Sequence, residues 1–300
     1  MPWFSYHGGH SGEFCKHAKG ELQPIVERAI EAGFSHYGLS EHVARFRDED
    51  LFPEEAALHV TPEDLIRSFE AYVVRARELQ ARYEGRIDLL VGFETERLPP
   101  GDWATRMREA RARLRIDYLV GSVHDVDGLV VDYKPEHTRA VAERVGGVEE
   151  LHVRYFDALT ELVTELRPEV VGHIDLIRKF DGENPVFGKR AWQHLEGTLE
   201  AVQKVGAVLD VNAATRRRGL GPVYPLPAIL ERALAMGIGV TLGDDGHGAH
   251  DVGVGLDACM QAITAAGYRE VSYLAREHGR AGDAVELRRA KLQDVRPHAR

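Results

Sequence analysis

The sequence predicts one closed parallel α/β barrel, and three observations carry that expectation. Short apolar, β-branched runs alternate with longer amphipathic stretches about seven or eight times along the chain, the pattern of buried parallel strands covered by helices. No Gly/Ser linker or low-complexity tract divides the sequence into parts. Titratable residues fall directly after the strand-like runs, where a parallel barrel gathers the loops that build its active site.

In chain order, "WFSYH" reads as the first strand and leads to a helix whose Leu22, Ile25, Val26, Ala29 and Ile30 keep the three-and-four spacing. "HYGLS" is the second strand. Residues 44–64 have no strong period and are expected to form a loop over one barrel face, before a charged helix from about Pro62 to Tyr83. "IDLLVGF", "DYLVGSV", "PEVVGHI", "AVLDVN" and "GIGVTLG" supply the third to seventh strands, with helical patterns such as "VEELHVRYFDALTELVTEL" and "LPAILERALAMG" between them. "EVSYLA" is a candidate eighth strand. We expect residues 1–280 to form the barrel domain and the weakly periodic, charged residues 281–300 a terminal helix or tail.

Composition narrows the function classes. At 300 residues, 44% hydrophobic and 29% charged, the chain can bury a large core. Its formal net charge of -10 provides no electrostatic footprint for nucleic acid, and no run approaches the roughly 18 apolar residues that span a bilayer. Two cysteines, Cys15 and Cys259, make no disulfide framework, and no secretory leader is evident, so the cytoplasm is the expected compartment. The sequence leaves homo-oligomerisation open.

The strand ends carry the chemistry. His7, His10 and His17 come after the first strand, Glu41 and His42 after the second, and His124 after the fourth; Glu94 and Glu96 end the third. His173 and Asp175 end the fifth, Asp210 and Asn212 the sixth, and Asp244, Asp245 and His247 the seventh. One polar residue after a strand is ordinary, but so many imidazoles and carboxylates on one face would repel or desolvate one another without a positive charge among them. Divalent metals supply that charge, and a His/Asp/Glu set suits zinc, manganese or iron alike. The ligands outnumber one coordination shell, so two or three ions are expected, and metal-assisted phosphoester hydrolysis is the natural reaction class.

The motifs "SYH..HSGEFCKHA", "LSEHV", "VGFETE", "VGSVH", "VGHIDLIRKF", "DVNAATRRRG...VYP" and "LGDDGH" resemble, in order, those of the polymerase-and-histidinol-phosphatase (PHP) metallophosphoesterases, over about residues 3–270. "FCKHA", "GHIDLIRKF" and the basic cluster before "VYP" are most similar to the histidinol-phosphatase branch. The resemblance implies a distorted TIM-like (β/α)7 barrel of the PHP type with a trinuclear site. His7, His10, Glu94 and Asp245 would hold one metal, Glu94 would bridge to a second completed by His124 and His173, and His17, His42 and His247 would hold the third. A metal-bridging hydroxide would attack phosphorus in line. Arg178, Lys179 and Arg217 match the family's basic positions and would grip the phosphate, a task suited to guanidinium groups. Asp175 or His247 would protonate the leaving alkoxide; Glu41, Glu96, Asp132 and Asp244 would orient imidazoles or recognise the substrate. The implied substrate is L-histidinol phosphate in histidine synthesis. Another small phosphate ester, or a metal-binding homologue without catalysis, is the alternative.

One departure stands out. The family's first motif reads His-x-His, whereas this chain reads "HGGH". Either a bulge permitted by Gly8 and Gly9 turns His7 back toward the metal, or that ligand is absent; we expect the bulge. Cys15, beside His17, is expected to be structural.

Overall fold

The apolar runs become strands that pair side by side in the order in which they occur. In the computed structural model, which describes residues 2–98, 101–181, 186–277 and 285–296, the strands are β1 (Phe4–Ser5), β2 (His36–His42), β3 (Asp88–Thr95), β4 (Tyr118–Gly121), β5 (Asp125–Val126), β6 (Leu129–Val130), β7 (Val170–Val171), β8 (Val208–Asn212), β9 (Val240–Gly243), β10 (Glu270–Arg276) and β11 (Val285–Lys291). The helices between them are α1 (Leu22–Glu31), α2 (Pro53–Ala57), α3 (Pro62–Arg82), α4 (Trp103–Arg113), α5 (Pro135–Val145), α6 (Val148–Leu166), α7 (Lys189–Val205), α8 (Ala214–Arg217), α9 (Pro227–Ala235) and α10 (Leu256–Ala265). Seven strands form one parallel sheet, ordered β1-β2-β3-β4-β7-β8-β9. The sheet nearly closes on itself: Tyr6 N donates to Leu242 O at 3.0 Å and Asp245 N to His7 O at 2.7 Å, joining the two end strands.

The longer helices, α1, α3, α6 and α7 among them, each bury one stripe. On α1 the stripe is Leu22, Ile25, Val26, Ala29 and Ile30, as the spacing predicts. Helix α3 starts at a capping box, in which Thr61 Oγ1 accepts from Asp64 N while the Asp64 carboxylate accepts from Thr61 N. The segment before it carries a single turn at Asp48–Asp50 and α2, held by a buried Arg45–Glu55 pair at 3.1 Å, with the Arg45 guanidinium 3.9 Å above the Phe52 ring. It lies over the C-terminal ends of the strands, where Phe52 packs against His17 and His42.

Two expectations about the end of the chain are corrected. "EVSYLA" is a strand, but β10 pairs antiparallel with β11 in a separate two-stranded sheet. Residues 285–291 are accordingly a strand and not a helix or tail; residues 278–284 and 297–300 lie outside the described residues. The central residues of β11 are exposed on both faces, so the segment lacks the alternation that marks a half-buried strand. The hairpin covers the N-terminal end of the barrel: Tyr6 Oη donates to Leu274 O at 2.6 Å, and Arg276 Nε donates to Asp88, the first residue of β3, at 2.8 Å. Among the described residues no helix is long and apolar enough to cross a membrane.

Inside the barrel the Tyr118 ring crosses in front of Gly38 and Gly92, and its hydroxyl donates to Tyr6 O at 2.9 Å. A Cβ at either glycine would collide with that ring. Gly92→Ala is therefore expected to destabilise the fold by about 1–3 kcal/mol, because the tethered ring cannot swing aside. Chemical denaturation would measure it; a midpoint equal to that of the unaltered protein would refute the steric argument.

Candidate metal centre

Parallel register brings the strand-end residues to one level, and Glu94, at the end of β3, stands at their centre. Its Oε1 lies 3.1 Å from His7 Nε2, 3.3 Å from His173 Nε2 and 3.5 Å from His124 Nε2. Its Oε2 lies 3.0 Å from His42 Nδ1 and 3.9 Å from His10 Nε2. The two oxygens of one carboxylate thus address two different sets of imidazoles. Among the described residues, donor atoms within 4.8 Å of one another form four groups: His7 with Glu94 and His173, His7 with His10 and Asp245, His10 with His42 and His247, and Cys15 with His17 and His42. The His10 ring stacks between His42 and His247, at 4.4 Å from each, and His17 Nε2 lies 3.1 Å from His42 Nε2.

His7 reaches the cluster through the expected glycine-permitted turn. Gly8 and Gly9 have φ of 152° and 77°, the second in the left-handed region that a side chain resists, and a Cβ at Gly9 would lie 2.8 Å from Leu39 Cδ2. Asp245 has a φ of 51°, uncommon for a non-glycine residue. Two groups hold that turn: His7 O accepts from Asp245 N, and Arg217 donates to Asp244 O at 2.9 Å and Asp245 O at 2.7 Å.

A ring of carboxylates behind the cluster fixes the imidazoles. His7 Nδ1 meets Asp210 Oδ2 at 2.7 Å, His124 Nδ1 meets Glu96 Oε1 at 2.6 Å, and His10 Nδ1 meets Glu41 Oε1 at 3.4 Å. Such pairs set which ring nitrogen faces inward and raise its basicity. Asp210→Asn is expected to weaken binding at the His7 position about 10- to 100-fold. Competitive titration with a chromophoric chelator would measure this; unchanged affinity would remove Asp210 from the orienting ring.

The electrostatics suit a cation. Burial raises the Glu94 carboxyl, but His7, His124 and His42 outweigh it and hold Glu94 well below the carboxylate range. Burial, then the neighbouring His10, pushes His42 and His247 well below the usual histidine value, leaving their lone pairs free of protons. Burial disfavours charged His124, yet Glu96 and Glu94 prevail and raise it to about 10. His7 Nε2, His10 Nε2, His42 Nδ1 and Glu94 Oε1 are buried without a hydrogen-bond partner, an arrangement that costs several kcal/mol unless something else satisfies the groups. Oxygen and nitrogen donors converging from several strands fit divalent ions.

A cavity of about 330 Å³ opens above the cluster. Lys16, Lys179 and Arg218 line it, with Phe52, Leu176 and Leu220 as apolar wall. Lys179 Nζ donates to Asp132 O at 2.5 Å and Oδ2 at 3.0 Å. Three expected roles do not match these positions. Arg217 is occupied with the Asp244–Asp245 carbonyls, and its neighbour Arg218 lines the cavity instead. Arg178 is buried behind Tyr224, 4.4 Å from that ring, donating to Asp175 Oδ2 at 2.6 Å and Val223 O at 2.9 Å. Asp175 accepts from Arg178 and from Leu226 N, and neither it nor Arg178 lines the cavity. The three-residue offset within the turn Leu176–Phe180 is what pairs Arg178 with Asp175. Sequence reasoning quotes Lys16 within "FCKHA" and Tyr224 within "VYP" but gives neither a role; the Tyr224 hydroxyl is buried without a hydrogen-bond partner, and the residue lines the cavity.

The PHP domain family model matches residues 7–214. The chain is 34% identical to a Schizosaccharomyces pombe protein named "Probable histidinol-phosphatase", across 98% of this chain and 96% of that one. It is 25% identical to a Saccharomyces cerevisiae histidinol-phosphatase, across 86% and 87%. The crystal structure of a Lactococcus lactis histidinol phosphate phosphatase, complexed with zinc, L-histidinol and phosphate, is similar in fold with a TM-score of 0.68 at 18% identity, covering 95% of this chain and 98% of that one.

Proposed function

The chain belongs to the PHP-domain family, and on that premise we propose that it is a metal-dependent phosphomonoesterase that hydrolyses L-histidinol phosphate to L-histidinol and phosphate. The observation that carries the reading is the Glu94-centred cluster at the base of a cavity with a cationic rim. Names of the relatives support the substrate, and the zinc in the Lactococcus lactis complex supports zinc as one occupant. Two or three ions would be held by His7, His10, His17, His42, Glu94, His124, His173, Asp245 and His247. Bound there, divalent ions supply an activated water and positive charge for the phosphate oxygens.

The chain's own groups do the rest. Lys16, Lys179 and Arg218 draw the phosphate toward the cluster and share the charge that spreads over its oxygens in the transition state. Asp132, tethered to Lys179, offers a carboxylate for the substrate's ammonium, and Phe52, Leu176 and Leu220 take its carbon skeleton. Burial pushes the Tyr224 hydroxyl up against the opposing pull of Arg178, so it keeps its proton at neutral pH and serves as a neutral hydrogen-bond donor in the lining. Asp175 and Arg178 position that ring from behind. A cytoplasmic setting is consistent with the pathway.

Steady-state phosphate release tests the reading. The zinc- or manganese-loaded protein is expected to turn over L-histidinol phosphate with a kcat/KM far above that for p-nitrophenyl phosphate, nucleoside monophosphates or sugar phosphates. A higher value for a nucleotide or sugar phosphate would move the substrate to that class; stoichiometric metal without hydrolysis of any phosphomonoester would sink the enzyme reading.

A further inference from the structure

Cys15 is buried beside the cluster. It lies in the turn after His10, where Phe14 N and Cys15 N both donate to Ser11 O, at 3.1 and 2.8 Å, and Ala18 N donates to Cys15 O. That winding puts Cys15 and His17 on the same side, and Cys15 Sγ, one nitrogen of His17 and one of His42 lie within 4.8 Å of one another. The Nε2 atoms of His17 and His42 are 3.1 Å apart, the approach expected of two imidazoles turned toward one shared position. His42 also belongs to the group with His10 and His247, its side chain is only 10% exposed, and its Nδ1 faces Glu94 Oε2 at 3.0 Å, which leaves Nε2 for the position it shares with His17. Cys15 is itself 7% exposed and in contact with His17.

We propose that the Cys15 sulfur is a ligand of an ion shared with His17 and His42, giving the outermost metal position of the cluster a thiolate that the inner, nitrogen-and-oxygen positions lack. The inference rests on the metal-dependent reading above and deepens it. Coordination replaces the S–H bond by a sulfur–metal bond and releases the proton to solvent. A soft sulfur donor discriminates among ions in a way imidazole and carboxylate do not, so this position selects zinc over manganese while the inner positions accept either.

Cobalt substitution reads the bond directly, independent of catalysis. The Co²⁺-loaded protein is expected to show an intense near-ultraviolet thiolate-to-cobalt charge-transfer band, retained in Cys259→Ser and absent in Cys15→Ser, whose weakest-bound ion should be held on the order of tenfold or more less tightly. Should Cys15→Ser fold poorly, the unaltered protein still decides: Cys15 should resist a thiol-specific disulfide reagent when zinc is bound and react after chelation. Bound cobalt without the band, or a band that survives in Cys15→Ser, overturns the inference and leaves the phosphatase reading intact. Failure to bind stoichiometric cobalt at all overturns both.

Discussion

Glu94→Gln is expected to lower kcat by on the order of a thousandfold or more and to leave the purified protein with fewer bound ions. Glutamine has the shape of glutamate, so the fold should persist, but it loses the charge and one of the two acceptor oxygens. Those oxygens face His7, His124 and His173 on one side and His42 and His10 on the other. The two oxygens of Glu94 reach both sets, so its loss is felt at more than one position. Histidine replacements such as His17→Ala, at the rim, remove one donor and should cost less. Metal analysis alongside phosphate release is the check. Full metal content with activity within tenfold of the unaltered protein would show that Glu94 does not link the positions.

Much of this arrangement is legible in the sequence, for a physical reason. Parallel strands of matched register end at one level, so the residue types just after each apolar run report on a single surface. His7 is the uncertain member because "HGGH" breaks a two-residue period, and only the backbone angles at Gly8 and Gly9 decide which way the histidine turns. The basic residues are harder. Successive positions on a short helix point about 100° apart, so the triplet Arg216-Arg217-Arg218 does not reveal which guanidinium enters the cavity. Arg217 is taken by two carbonyls of the Asp244–Asp245 turn, and Arg218 is left to face the cavity. Arg178 resembles a phosphate ligand in sequence, but Asp175 three residues earlier is its nearer partner, and both are buried under Tyr224. Tyr224 stands within the motif "VYP", but a tyrosine near a proline has no spacing that assigns it a role. Strand β11 is hidden for another reason: its stability comes from pairing with β10, a non-local contact that its own side-chain pattern does not encode.

Removing the metals is expected to lower the melting temperature by on the order of 10 °C. Ions that bind only the folded state stabilise it by about 2.7 kcal/mol each at a hundred times their dissociation constant, and a domain of this size shifts roughly 2 °C per kcal/mol. Two such ions account for the figure. The loss should depend on pH in a stated direction. In the metal-free protein Glu96 and Glu94 overcome burial to raise His124 from 6.5 to about 10, so its charged form supports the fold. That contribution is fully present below pH 6.5 and is lost as the pH rises toward 10. Ion binding, in contrast, must displace the same proton and strengthens as pH rises. The gap between loaded and chelated melting temperatures should therefore widen steadily from pH 6.5 upward, and Glu96→Gln should reduce that widening by weakening the hold on His124. Thermal melts across this range, before and after dialysis against a chelator and again after zinc is restored, measure all of it. A gap that is constant with pH, or a chelated protein that melts with the loaded one, would mean that the buried imidazoles and carboxylates satisfy one another without an ion.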